Sequence, residues 1–190
     1  MTETTIEPFA EGFVMALAPE FVLVIGLFTL ILVPNMGDAK FRIPLTQIRI
    51  PWFLGGKRGT LDRDPRLPGL FASIFLTVSF LMALASFVGG MERVNITTAN
   101  GTELFRVDEF SRMFEVIFYG ALSLASIASI DRLPATSTAD RSLSGLYNNR
   151  RQVDFYILLM TCGLGMSVVA LSQDLFMLFI GLELASFSTY

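Results

Sequence analysis

Histidine is absent from this 190-residue chain, and cysteine occurs once, as Cys162. A single thiol excludes an intrachain disulfide and a four-cysteine iron–sulfur site. Without imidazole there is no histidine axial ligand for haem and no histidine-rich metal centre. No cofactor or metal is therefore expected in the chain. Charge is scarce too. Asp, Glu, Lys and Arg make up 16% of the residues and hydrophobic types 53%, whereas a soluble domain carries roughly 25% charged residues. Lysine occurs only at Lys40 and Lys57. The opening stretch MTETTIEPFAEGF has three glutamates and no basic residue. It is neither a secretory signal, which needs a basic start, nor an arginine-rich transit peptide. These deficits put the chain in the membrane class.

What is present are long apolar runs. A bilayer-spanning helix needs about 20 mostly apolar residues, and five stretches qualify, at about 13–33, 70–91, 110–130, 153–172 and 174–190. The expected fold is an all-α integral membrane domain over 1–190, with a long basic loop at 34–69. Pro34 and Asn35 stop the first span. The last two spans are separated only by Ser172, Gln173 and Asp174. Read as one helix, Asp154 to Tyr190 would be about 55 Å long at ~1.5 Å per residue, too long for a ~30 Å hydrocarbon core. Asp174 suits the N-cap of a new helix, so a tight helical hairpin is expected.

The loop charges fix an orientation. Lys40, Arg42, Arg49, Lys57, Arg58, Arg63 and Arg66 fall in the first loop, and Arg132, Arg141, Arg150 and Arg151 in the third, which together hold 11 of the 14 basic residues. Five spans place these loops on one side, which the positive-inside rule makes cytoplasmic or matrix, with the N-terminus outside. Within the first loop, FRIPLTQIRIPWFLGG alternates apolar positions like a short hairpin, though Pro44 and Pro51 confine any strand to an edge. Trp52 can equally act as an interfacial anchor. Two glycosylation-like triplets, at Asn95 and Asn100, lie on the expected outer side.

The main functional candidate is Glu183, in FMLFIGLELASFSTY. It lies nine residues beyond Asp174, about 13 Å along a helix and close to the bilayer midplane. An acid at that depth costs at least ~2.5 kcal/mol when ionised. It is therefore either protonated or matched by a cationic or hydrated partner, and both conditions suit proton relay. The structural alternative is a protonated glutamate joining two helices. No span contains a lysine, so a lysine partner must come from another chain or from further sequence. Arg112 and Glu115, three residues apart in the third span, can pair on one helix face and are secondary candidates. Glu20 follows Pro19 at the head of the first span and reads as an acid placed for the helix dipole. Gly120, Ala121, Ala125 and Ser129, and the GLGMS stretch at 163–167, read as close-packing surfaces.

The stretch DFYILLMTCGLGMSVVALSQDLFMLFIGLELASFSTY resembles the antiporter-like membrane subunits of respiratory complex I. GLELASFSTY is most similar to the N-type subunit (mitochondrial subunit 2), as are LAPE at residues 17–20 and FRVDEFSRMFEVIFYGALSLASI in the third span. The resemblance covers the five spans but neither the first nor the third loop. It implies the first part of a fourteen-helix fold of two inverted five-helix repeats. It also implies that Glu183 matches a fifth-helix glutamate that pairs with a lysine on the seventh helix and moves protons. The implied complex oxidises NADH, or F420H2 or ferredoxin, elsewhere and reduces quinone. The implied partners are other membrane subunits in a prokaryotic cell membrane or mitochondrial inner membrane, with no nucleic acid. The chain is then expected to be the first part of a longer protein or one product of a split gene. Two rival readings are a cation/proton antiporter subunit without a redox partner and a structural accessory subunit.

The loop charges make a prediction. With Cys162 replaced by alanine, a cysteine introduced at Thr136 should react with a membrane-impermeant maleimide only from the cytoplasmic side, and one at Thr98 only from the outer side. Labelling of both from the same side contradicts the orientation.

Overall fold

The computed structural model describes residues 3–6, 12–35, 40–42, 49–51, 67–90, 93–98, 100–130 and 143–187. It is mostly helical rather than wholly so. In chain order the elements are β1 (Glu3–Ile6), α1 (Phe13–Ala16), α2 (Ala18–Asn35), β2 (Lys40–Arg42), β3 (Arg49–Pro51), α3 (Leu67–Val88), β4 (Arg93–Thr97), β5 (Glu103–Val107), α4 (Glu109–Ser129), α5 (Leu143–Leu171) and α6 (Leu175–Phe187). Three helical stretches, Pro68–Val88, Glu109–Ser129 and Gln152–Leu171, are long and apolar enough to cross a membrane, and Ala18–Leu32 and Leu175–Phe187 are shorter apolar helices.

Local chemistry sets the boundaries. The first expected span is not one helix. A proline at position 19 lacks the N–H that would bond the Met15 carbonyl, and its ring would press on that carbonyl. The chain therefore makes one turn, α1, leaves helical geometry at Leu17, and restarts as α2 with Pro19 in its first turn. Gly12, at φ 92°, supplies the left-handed residue that opens α1. Helix α3 gives way to Gly89 and Gly90, the latter at φ 64°, an open conformation that glycine adopts without strain. Asp108 caps α4: its Oδ1 accepts the Ser111 N–H at 2.8 Å, and Ser111 Oγ accepts the Asp108 N–H at 2.9 Å. Asp174 caps α6, its Oδ2 accepting the Phe176 N–H at 3.1 Å.

Helix α5 starts about ten residues before the expected span and takes in Arg150, Arg151 and Gln152. Its 29 residues extend to about 43 Å at ~1.5 Å per residue, longer than a hydrocarbon core. Loop three is correspondingly shorter than its charge pattern implied. Residues 131–142, with Arg132 and Arg141, lie outside the described residues, as do Trp52 and 188–190.

Strand β1 pairs in parallel with β4, and β4 pairs antiparallel with β5. The N-terminus and second loop, which carried no expected structure, thus form a three-stranded sheet. The β4–β5 turn closes through Gly101 at φ 79°. This sheet sits where α1 begins, α3 ends, α4 begins and α5 ends. Gln173 N–H donates to the Leu104 carbonyl at 3.0 Å, which ties the α5–α6 turn to β5. Asn95 is 3% exposed and donates to Glu103 Oε1 at 3.4 Å. A glycan there would need the sheet opened, whereas Asn100 is exposed in the turn. In the first loop, β2 and β3 pair antiparallel, with Phe41 opposite Ile50.

Helices α2, α3, α4 and α5 pack together, and α6 packs mainly on α5. Their apolar core includes Leu23, Leu30, Leu76, Tyr156 and Met160. Helix α4 is inverted relative to a soluble helix. Its buried residues are Ser111, Arg112, Glu115, Tyr119, Ser123 and Ser126, while Phe110, Ile117, Leu124 and Ile127 face outward. That is the pattern for an apolar solvent. Hydroxyls join the helices, Thr77 with Ser123 at 2.7 Å and Ser73 with Ser126 at 2.8 Å.

Helices α5 and α6 approach through Gly165 and Gly181. A Cβ at Gly165 would lie 2.4 Å from the Ala185 nitrogen, whereas one at Gly120 would lie 3.1 Å from the Phe80 ring edge. Backbone cannot move aside as a ring can. Gly165→Ala should destabilise the chain by about 1–3 kcal/mol and Gly120→Ala by less than ~1 kcal/mol, read from unfolding in detergent. Equal effects would contradict this packing.

Candidate functional site

One group of side chains stands out because it is ionic and buried. Arg112, 1% exposed, lies in the first turn of α4, and Glu115, 0% exposed, one turn further on. The Arg112 guanidinium donates to Glu115 Oε2 through Nη1 and to the Ala16 carbonyl through Nη2. The break at Leu17 interrupts the helix just past Ala16, which leaves that carbonyl available to the guanidinium. Nη1 also lies 3.7 Å from Glu20 Oε1. Glu20 comes from the first turn of α2 and is buried as well. Its Oε1 accepts from Tyr119 at 3.2 Å and from Ser167, on α5, at 2.8 Å. Ser167 Oγ also lies 3.3 Å from Glu115 Oε1.

The cluster thus joins three helices with one cation, two acids and two hydroxyls. Glu20 Oε2 and Arg112 Nε have no partner among the described residues. A second apolar cluster joins the sheet to the helices: Ala16, Leu17, Val94, Ile96, Val107 and Leu171, with Phe13, Phe21 and Phe105 against them.

Glu183 is placed differently. It lies near the end of α6 and its side chain is exposed, on a helix that also exposes Phe176, Phe179, Ile180, Leu182 and Phe187. Helix α5 stands between the two acidic sites: Ser167 points to the cluster, while Gly165, Val168 and Val169 meet α6. An exposed acid in an apolar face needs either a proton or a partner that covers it.

Comparison with known proteins adds relatives. The chain is 33% identical over 129 residues to NADH-quinone oxidoreductase subunit N of Anoxybacillus flavithermus, covering 68% of this chain and 22% of that protein. It is 31% identical over 122 residues to F(420)H(2) dehydrogenase subunit N of Methanosarcina mazei, covering 64% of this chain and 21% of that protein. A third, subunit N of a Geobacillus species, is 31% identical over 113 residues. The chain is a distant homologue of subunit N. It spans about a fifth of the length of these relatives. No family model matches it, and no solved structure does.

In this homologue of subunit N, the structure brings the sequence candidates Arg112 and Glu115 together as an ion pair and keeps Glu183 apart from them. Sequence reasoning gave Glu20 only a dipole role and did not join it to Arg112. The signal was available. The first and third spans run in the same direction, so the acid heading one and the cation heading the other lie at the same end of the bundle. Tyr119 and Ser167 carried no signal of their own.

A buried ion cluster is most sensitive to loss of its minority charge. Arg112→Met leaves Glu20 and Glu115 facing each other without a cation, and should cost about 3–5 kcal/mol of stability in detergent unfolding. Adding Glu20→Gln, which removes the carboxylate left without its cation, should restore part of the loss. An Arg112→Met chain as stable as the parent would show that the guanidinium does not hold the cluster.

Proposed function

We propose that this chain is a proton-translocating membrane subunit of a complex-I-like oxidoreductase that passes electrons from NADH, F420H2 or ferredoxin to quinone. The similarity to subunit N over about two-thirds of the chain carries this reading. In it the chain is multi-pass in a prokaryotic or mitochondrial inner membrane, with its N-terminus outside. The helices form the first part of a fourteen-helix antiporter-like bundle and bind no redox cofactor. Electron transfer takes place in partner subunits and reaches this chain through charges and conformation.

Glu183 is the residue assigned to proton relay. Two observations support it. It is an acid on an apolar helix, and its side chain faces outward, where a lysine from a neighbouring helix can approach. A carboxylate beside a lysine holds the lysine proton. When the glutamate takes up a proton or moves away, the lysine loses its counter-charge and releases a proton onward. Redox-driven shifts in neighbouring charges then move protons through the pair without any chemistry on this chain.

Glu183→Gln keeps the shape and removes the titratable group. In the assembled complex it should lower coupled proton transport by about tenfold or more, with the amount of complex unchanged. Wild-type transport and coupled quinone reduction in that variant would remove Glu183 from the relay.

A further inference from the structure

Glu183 is not the only acid that can hold a proton within this bundle. We propose that Glu115 and Glu20, bridged by Ser167, form a second, buried proton-holding site. Its resting proton sits on Glu115 Oε1 and can pass to Glu20.

Donor and acceptor accounting carries the argument. Ser167 Oγ has one proton to donate, yet it lies within hydrogen-bonding reach of two carboxyl oxygens, 2.8 Å from Glu20 Oε1 and 3.3 Å from Glu115 Oε1. One hydroxyl proton serves one of them. The second contact is a hydrogen bond only if the other carboxyl is itself the donor. Glu20 Oε1 is the acceptor, because it also receives the Tyr119 hydroxyl at 3.2 Å and faces Arg112 Nη1 at 3.7 Å. Glu115 Oε2 accepts from Arg112, which leaves Glu115 Oε1 to carry the proton and donate it to Ser167 Oγ.

Charge balance reaches the same result. Arg112 is a single positive charge between two acids. With one proton on the pair the cluster is neutral, and without it a net negative charge lies among buried side chains, which an apolar interior disfavours. Among the described residues, the arginines at the sheet face acids of their own. Arg93 faces Asp108 at 3.8 Å and Arg106 faces Glu103 at 2.9 Å.

The transfer conserves atoms and charge. Glu115 Oε1–H gives its proton to Ser167 Oγ as Ser167 gives its own to Glu20 Oε1. One O–H bond breaks and one forms at the serine, and the negative charge moves from Glu20 to Glu115. Arg112 lies against both acids, so it stabilises the negative charge at either end. The site depends only on the cluster and stands whether or not Glu183 moves protons.

Infrared spectroscopy of the full chain, reconstituted into liposomes in H2O or in D2O, tests this. The carbonyl stretch of a protonated carboxylic acid, shifted by deuteration, should be present at neutral pH and should remain in Glu183→Gln. It should vanish when Glu115→Gln is added to Glu183→Gln, where Glu20 and Arg112 balance. In Ser167→Ala, which keeps every charge, it should persist at a shifted frequency. The proposal is overturned if Glu183→Gln shows no such band, if adding Glu115→Gln to it leaves the band unchanged, or if Ser167→Ala in the same background leaves its frequency unmoved. The serine variant decides the matter even where Glu115→Gln fails to fold. Pumping in Glu183→Gln bears only on the relay assigned to that residue.

Discussion

The guanidinium of Arg112 organises the sheet end of this bundle. A cation in an apolar interior must be met by acids and carbonyls, because water cannot reach it. Its partners come from different parts of the chain: the Ala16 carbonyl from α1, Glu20 from α2 and Glu115 from its own helix. Satisfying it therefore fixes how α2 and α4 meet, and Ser167 brings α5 to the same point. The break at Leu17 belongs to this arrangement, since the carbonyl just before the break is one that Arg112 uses. The apolar residues of the small sheet pack with Ala16 and Leu17 beside that break. Helix α4 is turned inside out for the same reason, with its charges and hydroxyls inward and its large apolar side chains outward.

Much of this was legible in the chain. The apolar runs located the helices, and the turn chemistry of Asp174 located the α5–α6 hairpin. Arg112 and Glu115 were readable as a pair because helical spacing is local. What was not legible depended on distance along the chain or on tertiary context. Glu20 and Arg112 are 92 positions apart, and only knowledge of which helix ends meet connects them. The sheet escaped notice because ETTI at β1 is too short and polar to read as a strand, and its pairing with β4 across α2 and α3 has no local signature. The full span at 13–33 looked continuous because Pro19 is near its start, where proline is usually harmless. It broke the helix because a turn of helix already preceded it. The early start of α5 was hidden by its polar first residues, which look like loop by composition alone.

The two acidic sites follow one physical rule and meet it in different ways. Glu20 and Glu115 have a cation, hydroxyls and packed helices around them, all from within the chain. Among the described residues no cation or hydroxyl meets the Glu183 carboxyl, which stands exposed on an apolar face. In the proposed relay Glu183 is half of a pair, and its place there depends on what covers that face. The most direct measurement is an experimental structure of the assembled complex that contains this chain. The account predicts a lysine or other cationic side chain within hydrogen-bonding distance of Glu183, supplied by a helix outside these 190 residues. A Glu183 side chain lying among lipid acyl chains, with no cation in reach, would contradict it.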